Sequence, residues 1–161
     1  MPKMDAESSF VASVLDRLLD EQPMQTKEPP LWQRQNPWQL KKAIARDLEA
    51  LLNTRMQLLE ERPHPEAEVT RSLLTYGLPD LTSISIADLK ERNRVRRAVE
   101  QAIEIFEPRL KNVRVALDPT RERETLLHFR IQAVIPMEPT PEAVVFDTDL
   151  QLDSRRYVVR G

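Results

Sequence analysis

Leu127-His128-Phe129-Arg130-Ile131-Gln132-Ala133-Val134-Ile135 is the stretch that decides the fold. Every second residue is apolar, and the residues between are polar except for Val134. A period of two places all the apolar side chains on one face of an extended chain, which predicts a strand with one face buried. The same alternation appears on either side. Val113, Val115 and Leu117 precede it, Val144, Phe146, Thr148, Leu150 and Leu152 follow, and Tyr157 to Arg160 makes a short last strand. Before Pro108 the apolar period is 3.6 instead. Helices first and strands later predict an α+β fold, with helices packed on one face of a small, mainly antiparallel sheet.

Working back toward the N-terminus, Ser85 is the expected cap of the longest helix, about Ile86 to Phe106, with Asp88 in its first turn. Leu89, Val95, Val99, Ala102, Ile103 and Phe106 share its apolar face. Arg92 and Arg96 fall near that face and need either a carboxylate partner or an escape to the rim. An earlier helix opens at Asn36-Pro37 and carries the stripe Leu40, Ile44, Leu48, Leu51 and Leu52. A first amphipathic helix, Ser8 to Glu21, presents Phe10, Val14, Leu15 and Leu18. Pro23, Pro29, Pro30 and Pro37 separate it from the rest. The expected organisation is therefore an N-terminal helix and proline-rich linker over residues 1–35, and a domain over 36–161. The first helix must dock on something, either that domain or another chain.

Composition narrows the function. Among 161 residues there are only two glycines, Gly77 and Gly161, so phosphate-cradling loops and nucleophile elbows are absent. The absence of cysteine excludes disulfides, thiolate nucleophiles and cysteine-ligated metals. Twenty-four basic residues against twenty-six acidic ones leave a net charge of −2, too little positive field for general nucleic-acid binding. No apolar run approaches the roughly 20 residues of a membrane helix, and no secretory signal is visible at the N-terminus. The expected location is cytoplasmic, without direct membrane insertion.

Residues able to do chemistry are scattered. His64 lies between two prolines and His128 on the polar face of a strand, so no metal and no cofactor is expected. Glu107, Asp147 and Asp149 are the carboxylates a glycosidase would need to bring together, but the two aspartates sit where solvated acids belong. Lys90, Arg92, Arg94, Arg96 and Arg97 are interleaved with or followed by Glu91, Glu100 and Glu104, as on a solvated or protein-binding face. The sharpest local feature is Glu107-Pro108-Arg109 at the end of the long helix. Proline fixes the backbone there, so the carboxylate and guanidinium either meet a partner's charges or brace the domain internally.

Three segments together resemble a known family. Arg46-Asp47-Leu48-Glu49-Ala50-Leu51-Leu52-Asn53-Thr54-Arg55, then Tyr76-Gly77-Leu78-Pro79-Asp80-Leu81, then Glu107-Pro108-Arg109 are similar to successive signatures of the lysozyme-like phage baseplate-wedge family. Val14-Leu15-Asp16-Arg17-Leu18-Leu19-Asp20 is similar to its bacterial branch, the TssE subunits of type VI secretion systems. The resemblance implies a structural part of a cytoplasmic baseplate docked at the inner membrane, not an enzyme. It implies contacts with the wedge proteins TssF, TssG and TssK. It also implies a platform on which the TssB–TssC sheath nucleates. Glu107, Pro108 and Arg109 would hold the subunit on the wedge's core bundle. The competing function is a peptidoglycan-cleaving, lysozyme-like glycosidase.

A sheet edge suits such a platform, because its unpaired N–H and C=O groups accept a strand from another chain. Either the strand near Val113 or the one at Tyr157 to Arg160 is expected at the edge, with outward N–H groups at Arg114, Ala116, Val158 and Arg160.

Overall fold

The computed structural model describes Ser13 and residues 37–56, 68–80, 88–117, 126–137, 140–151, 154 and 156–161. Apart from Ser13, which is described outside any helix or strand, the expected helix over 8–21, its linker up to Asn36, His64 and the Ser85 cap lie outside the described residues. Within them the order is α1 (Pro37–Asn53), two 3-10 turns (Val69–Arg71 and Leu73–Thr75), α2 (Leu89–Phe106), then β1 (Lys111–Leu117), β2 (Leu126–Ile135), β3 (Glu142–Gln151) and β4 (Arg156–Arg160). The strands form one antiparallel sheet in the order β1-β2-β3-β4. This is the expected α+β arrangement.

The alternation is realised strand by strand. Val113, Val115, Leu127, Phe129, Ile131, Ala133, Ile135, Val144, Phe146, Thr148, Leu150 and Tyr157 face inward and are buried. Both helices cover that face, α1 packing on β4 and α2 on β1. Leu40, Ile44, Leu48, Leu51 and Leu52 of α1 are buried as the stripe requires, joined by Ala43. From α2, Val95, Val99, Ala102 and Ile103 complete the core.

Two details of α2 depart from expectation. Asp88 is its N-cap, not a first-turn residue. Its backbone is extended (φ −87°, ψ 121°), and its Oδ1 accepts the Lys90 N–H at 2.8 Å. A helix beginning at Ile86 would require helical angles there. Leu89 consequently sits at the first turn and is 72 % exposed, outside the apolar stripe. Arg96 takes the carboxylate alternative: its Nη1 contacts both oxygens of Glu100, at 2.9 and 2.8 Å.

Both sheet edges are occupied by side chains of the helices that flank them. Glu100 Oε1 accepts the Val115 N–H at 2.9 Å on β1. On β4, Glu49 Oε2 accepts the Val159 N–H at 3.2 Å. Asn53 serves both backbone groups of Tyr157, accepting its N–H and donating to its carbonyl, each at 2.9 Å. A side-chain amide thus stands where the peptide group of a further strand would be. Because the backbone N–H groups of Val115, Tyr157 and Val159 are the ones that point out of the sheet edges, the expected outward N–H groups of Arg114, Ala116, Val158 and Arg160 are of the wrong parity. Their neighbours along each strand hold the outward positions.

Candidate protein-binding site

The three sequence segments converge on one corner where α2 hands the chain to β1. The Glu107 N–H donates to Ile103 O at 2.9 Å, and Leu110 N–H to Glu107 O at 3.1 Å, so Pro108 and Arg109 occupy a tight turn. Pro108 is exposed at its tip. Glu107 turns inward instead and is only 4 % exposed. Arg109 grips it through two bonds, Nε to Oε1 at 2.6 Å and Nη2 to Oε2 at 2.5 Å. The same Nη2 reaches Asp47 Oδ2 on α1 at 2.6 Å. Of the two roles the sequence left open, internal bracing is the one visible in the folded chain. The pairing holds the guanidinium pKa above its ordinary value: burial pulls it down, but the hydrogen bonds and charges of Glu107 and Asp47 outweigh that.

The second segment abuts this corner. The Tyr76 ring meets Phe106 edge-on, with centroids 5.2 Å apart. Burial raises the Tyr76 pKa, and the charges of Asp47 and Glu107 add to the effect. Gly77 has φ +113°, and a Cβ there would lie 2.3 Å from the carbonyl oxygen of Thr54. Only glycine admits this approach. It lets the chain run beside the end of α1, where Leu78 N–H donates to Thr54 O and Met56 N–H to Leu78 O, both at 2.8 Å. Arg55 and Asp80 close the contact with an ion pair at 3.3 Å.

Asp47 was not singled out as a site residue. It lies three positions after Ile44 and four before Leu51, at the margin of the buried stripe. An acid at that spacing is the signal that it meets a cation from another element.

The remaining candidates stay apart from this corner. Asp147 is exposed and pairs with Arg130 at 3.2 Å. Asp149, expected to be solvated, is instead buried on the outer sheet face between His128 and Arg160, the latter at 3.1 Å. Cross-strand pairing on the outer face accounts for this. Arg94 is 3.9 Å from Glu91, so the arginine run of α2 is partly neutralised along its own helix. Among the described residues, no group of three or more His, Cys, Asp or Glu side chains lies close enough to hold a metal ion. None of their helices is long and apolar enough to cross a membrane.

A chain of the structure described as "The baseplate complex from the type VI secretion system" is similar, at a TM-score of 0.47 and 17 % identity. The alignment covers 71 % of this chain and 96 % of that one. No curated protein matches. Residues 38–140 match the family of baseplate wedge protein gp25, a span that takes in α1, the glycine segment, α2, the Glu107-Pro108-Arg109 corner, β1 and β2. With nearly two thirds of its length matched, the chain belongs to the baseplate wedge protein gp25 family.

Proposed function

We propose that this chain is a structural subunit of a type VI secretion baseplate, the TssE component, which joins the wedge to the contractile sheath and nucleates sheath assembly. The observation that carries the reading is the convergence of three family-like segments on one rigid corner: Asp47, the Tyr76-Gly77 approach and the Glu107–Arg109 pair. Residues 36–161 form the working domain, and residues 1–35 are an appended segment. TssF, TssG and TssK are its wedge partners and TssB–TssC its sheath partners. The complex works on the cytoplasmic side of the inner membrane.

The geometry supports a particular way of using Glu107, Pro108 and Arg109. Because Glu107 is buried and neutralised by Arg109, the motif offers a partner a fixed shape, with Pro108 at its tip, more than an unpaired charge. The same burial favours assembly over catalysis. A general acid must touch its substrate, and a carboxylate buried against two guanidinium bonds is not placed to do so. Sheath contact at β1 or β4 requires displacement of Glu100, or of Glu49 and Asn53, before a strand can add.

The test is capture of the purified full chain by individual baseplate and sheath subunits, beside incubation with peptidoglycan. Selective binding to the TssF–TssG wedge, with no sugar fragments released, is expected. Release of muropeptides would replace this reading with the glycosidase, and capture by neither set would leave a generic adaptor.

A further inference from the structure

The two edges of the sheet are closed to different degrees. On β4, Tyr157 has both backbone groups bonded to Asn53, and Val159 gives its N–H to Glu49. On β1, the bond from the Val115 N–H to Glu100 marks Val115 and Leu117 as the outward residues, by the two-residue period of an antiparallel ladder. Of their backbone groups, that N–H alone is bonded to a side chain among the described residues. The start of β1 is shut by its own backbone. Asn112 has φ +54°, and the register with β2 slips between Lys111 and Arg114. A bulge of this kind turns an edge away from straight pairing, so the pairing surface is the short run from Arg114 to Leu117.

Glu100 is a plug that leaves at little cost. Its carboxylate also meets Arg96 Nη1, at 2.9 Å from Oε1 and 2.8 Å from Oε2. When an incoming carbonyl takes over the Val115 N–H, Glu100 keeps its guanidinium, and no half-buried charge is stranded. Opening β4 instead means displacing two side chains, Asn53 and Glu49, from three backbone groups.

The side chains along β1 define which strand fits. Lys111 to Leu117 contains no acid. Arg114 is exposed on the outer face and makes no ion pair among the described residues. Arg130, on the neighbouring strand and the same face, is 43 % exposed. On the inner face, Val113 and Val115 are buried and Leu117 packs against the core. A complementary strand therefore alternates apolar residues, continuing the inner row beneath α2, with acids facing the arginines. We infer that β1, not β4, is the edge that accepts a strand from another chain, that this strand alternates apolar and acidic residues, and that Glu100 is the latch it displaces onto Arg96. Only the identity of the donor chain rests on the platform role proposed above; the edge and its latch rest on these contacts.

The probe is a synthetic peptide alternating valine and aspartate, titrated into the isotope-labelled full chain and followed by amide shifts. The signals of Val115 and Leu117 should move, while those of Tyr157 and Val159 stay in place. Glu100→Ala, which removes the competitor for the Val115 N–H, should tighten binding by roughly tenfold. Glu100→Gln keeps an acceptor oxygen and should bind close to the parent. A peptide alternating valine and lysine should bind more weakly, and Arg114→Glu should reverse that preference. Arg114→Glu alters an exposed side chain, so it serves even where Glu100→Ala disturbs the dispersed sheet resonances. Shifts at β4 in place of β1, no shift with either peptide, equal binding of the two peptides, or a folded Glu100→Ala that binds no tighter would each overturn the inference. Isolated sheath subunits form the separate arm. If the peptide moves the β1 signals and the sheath subunits do not, the edge and its latch stand and the sheath as donor falls.

Discussion

Arg109→Ala should lower stability by about 3 kcal/mol, and the structure supplies the reason. Glu107 has a side chain only 5 % exposed, and its two oxygens depend on Arg109 for their charged partner. Removing one member of a buried pair costs roughly 3–5 kcal/mol, because the other charge stays behind. Arg109 and Asp47 are 26 % and 25 % exposed, so water enters the vacated space and holds the loss near the lower end. At roughly 2–4 °C per kcal/mol for a chain of this size, the midpoint should fall by about 6–12 °C. Urea unfolding followed by circular dichroism measures it, with an unchanged slope marking a true change in stability. Arg94→Ala is the control: its side chain is 70 % exposed and 3.9 Å from Glu91, so its loss should cost ~0–1 kcal/mol. The decisive comparison is Arg109→Ala combined with Glu107→Gln, which removes the stranded charge. That double variant should be more stable than Arg109→Ala alone. A double variant that is less stable, or an Arg109→Ala as stable as the parent, would refute the brace.

Gly77→Ala should cost roughly 3 kcal/mol or more by the same assay, since its Cβ would collide with the Thr54 carbonyl at a positive φ. Thr148→Val should stabilise by about 1 kcal/mol, because the Thr148 hydroxyl is buried with no hydrogen-bond partner among the described residues. Asn53→Ala should cost about 1–3 kcal/mol and open the β4 edge, with self-association at high concentration visible by sedimentation. Burial raises the Tyr157 pKa above its unfolded value of about 10. Above that pH the unfolded chain releases a proton that the folded chain retains, so stability should fall as pH rises. Tyr157→Phe should flatten that decline and cost little at neutral pH, as the Tyr157 hydroxyl also lacks a partner among the described residues.

The alternation around Leu127 to Ile135 and the 3.6 period of Leu40 to Leu52 are local patterns, and the elements formed where those patterns lay. Each inward face was legible because burying apolar surface is the same requirement wherever the element docks. Pro108 ended the long helix for an equally local reason. Glu107-Pro108-Arg109 could be located but not oriented. Whether its charges face a partner or each other depends on Asp47, 62 positions earlier in the chain. Sequence spacing puts Asp88 in the first turn behind a Ser85 cap, whereas the extended backbone angles at Asp88 make that residue the cap. Edge parity was beyond the sequence altogether. Side-chain alternation tells which residues face the core, whereas the outward N–H groups follow from which neighbour each strand pairs with. Tertiary contact also closed those edges, through Asn53 to Tyr157 across 104 residues and Glu49 to Val159 across 110. A pattern confined to one element carries no information about a partner that folding alone brings alongside.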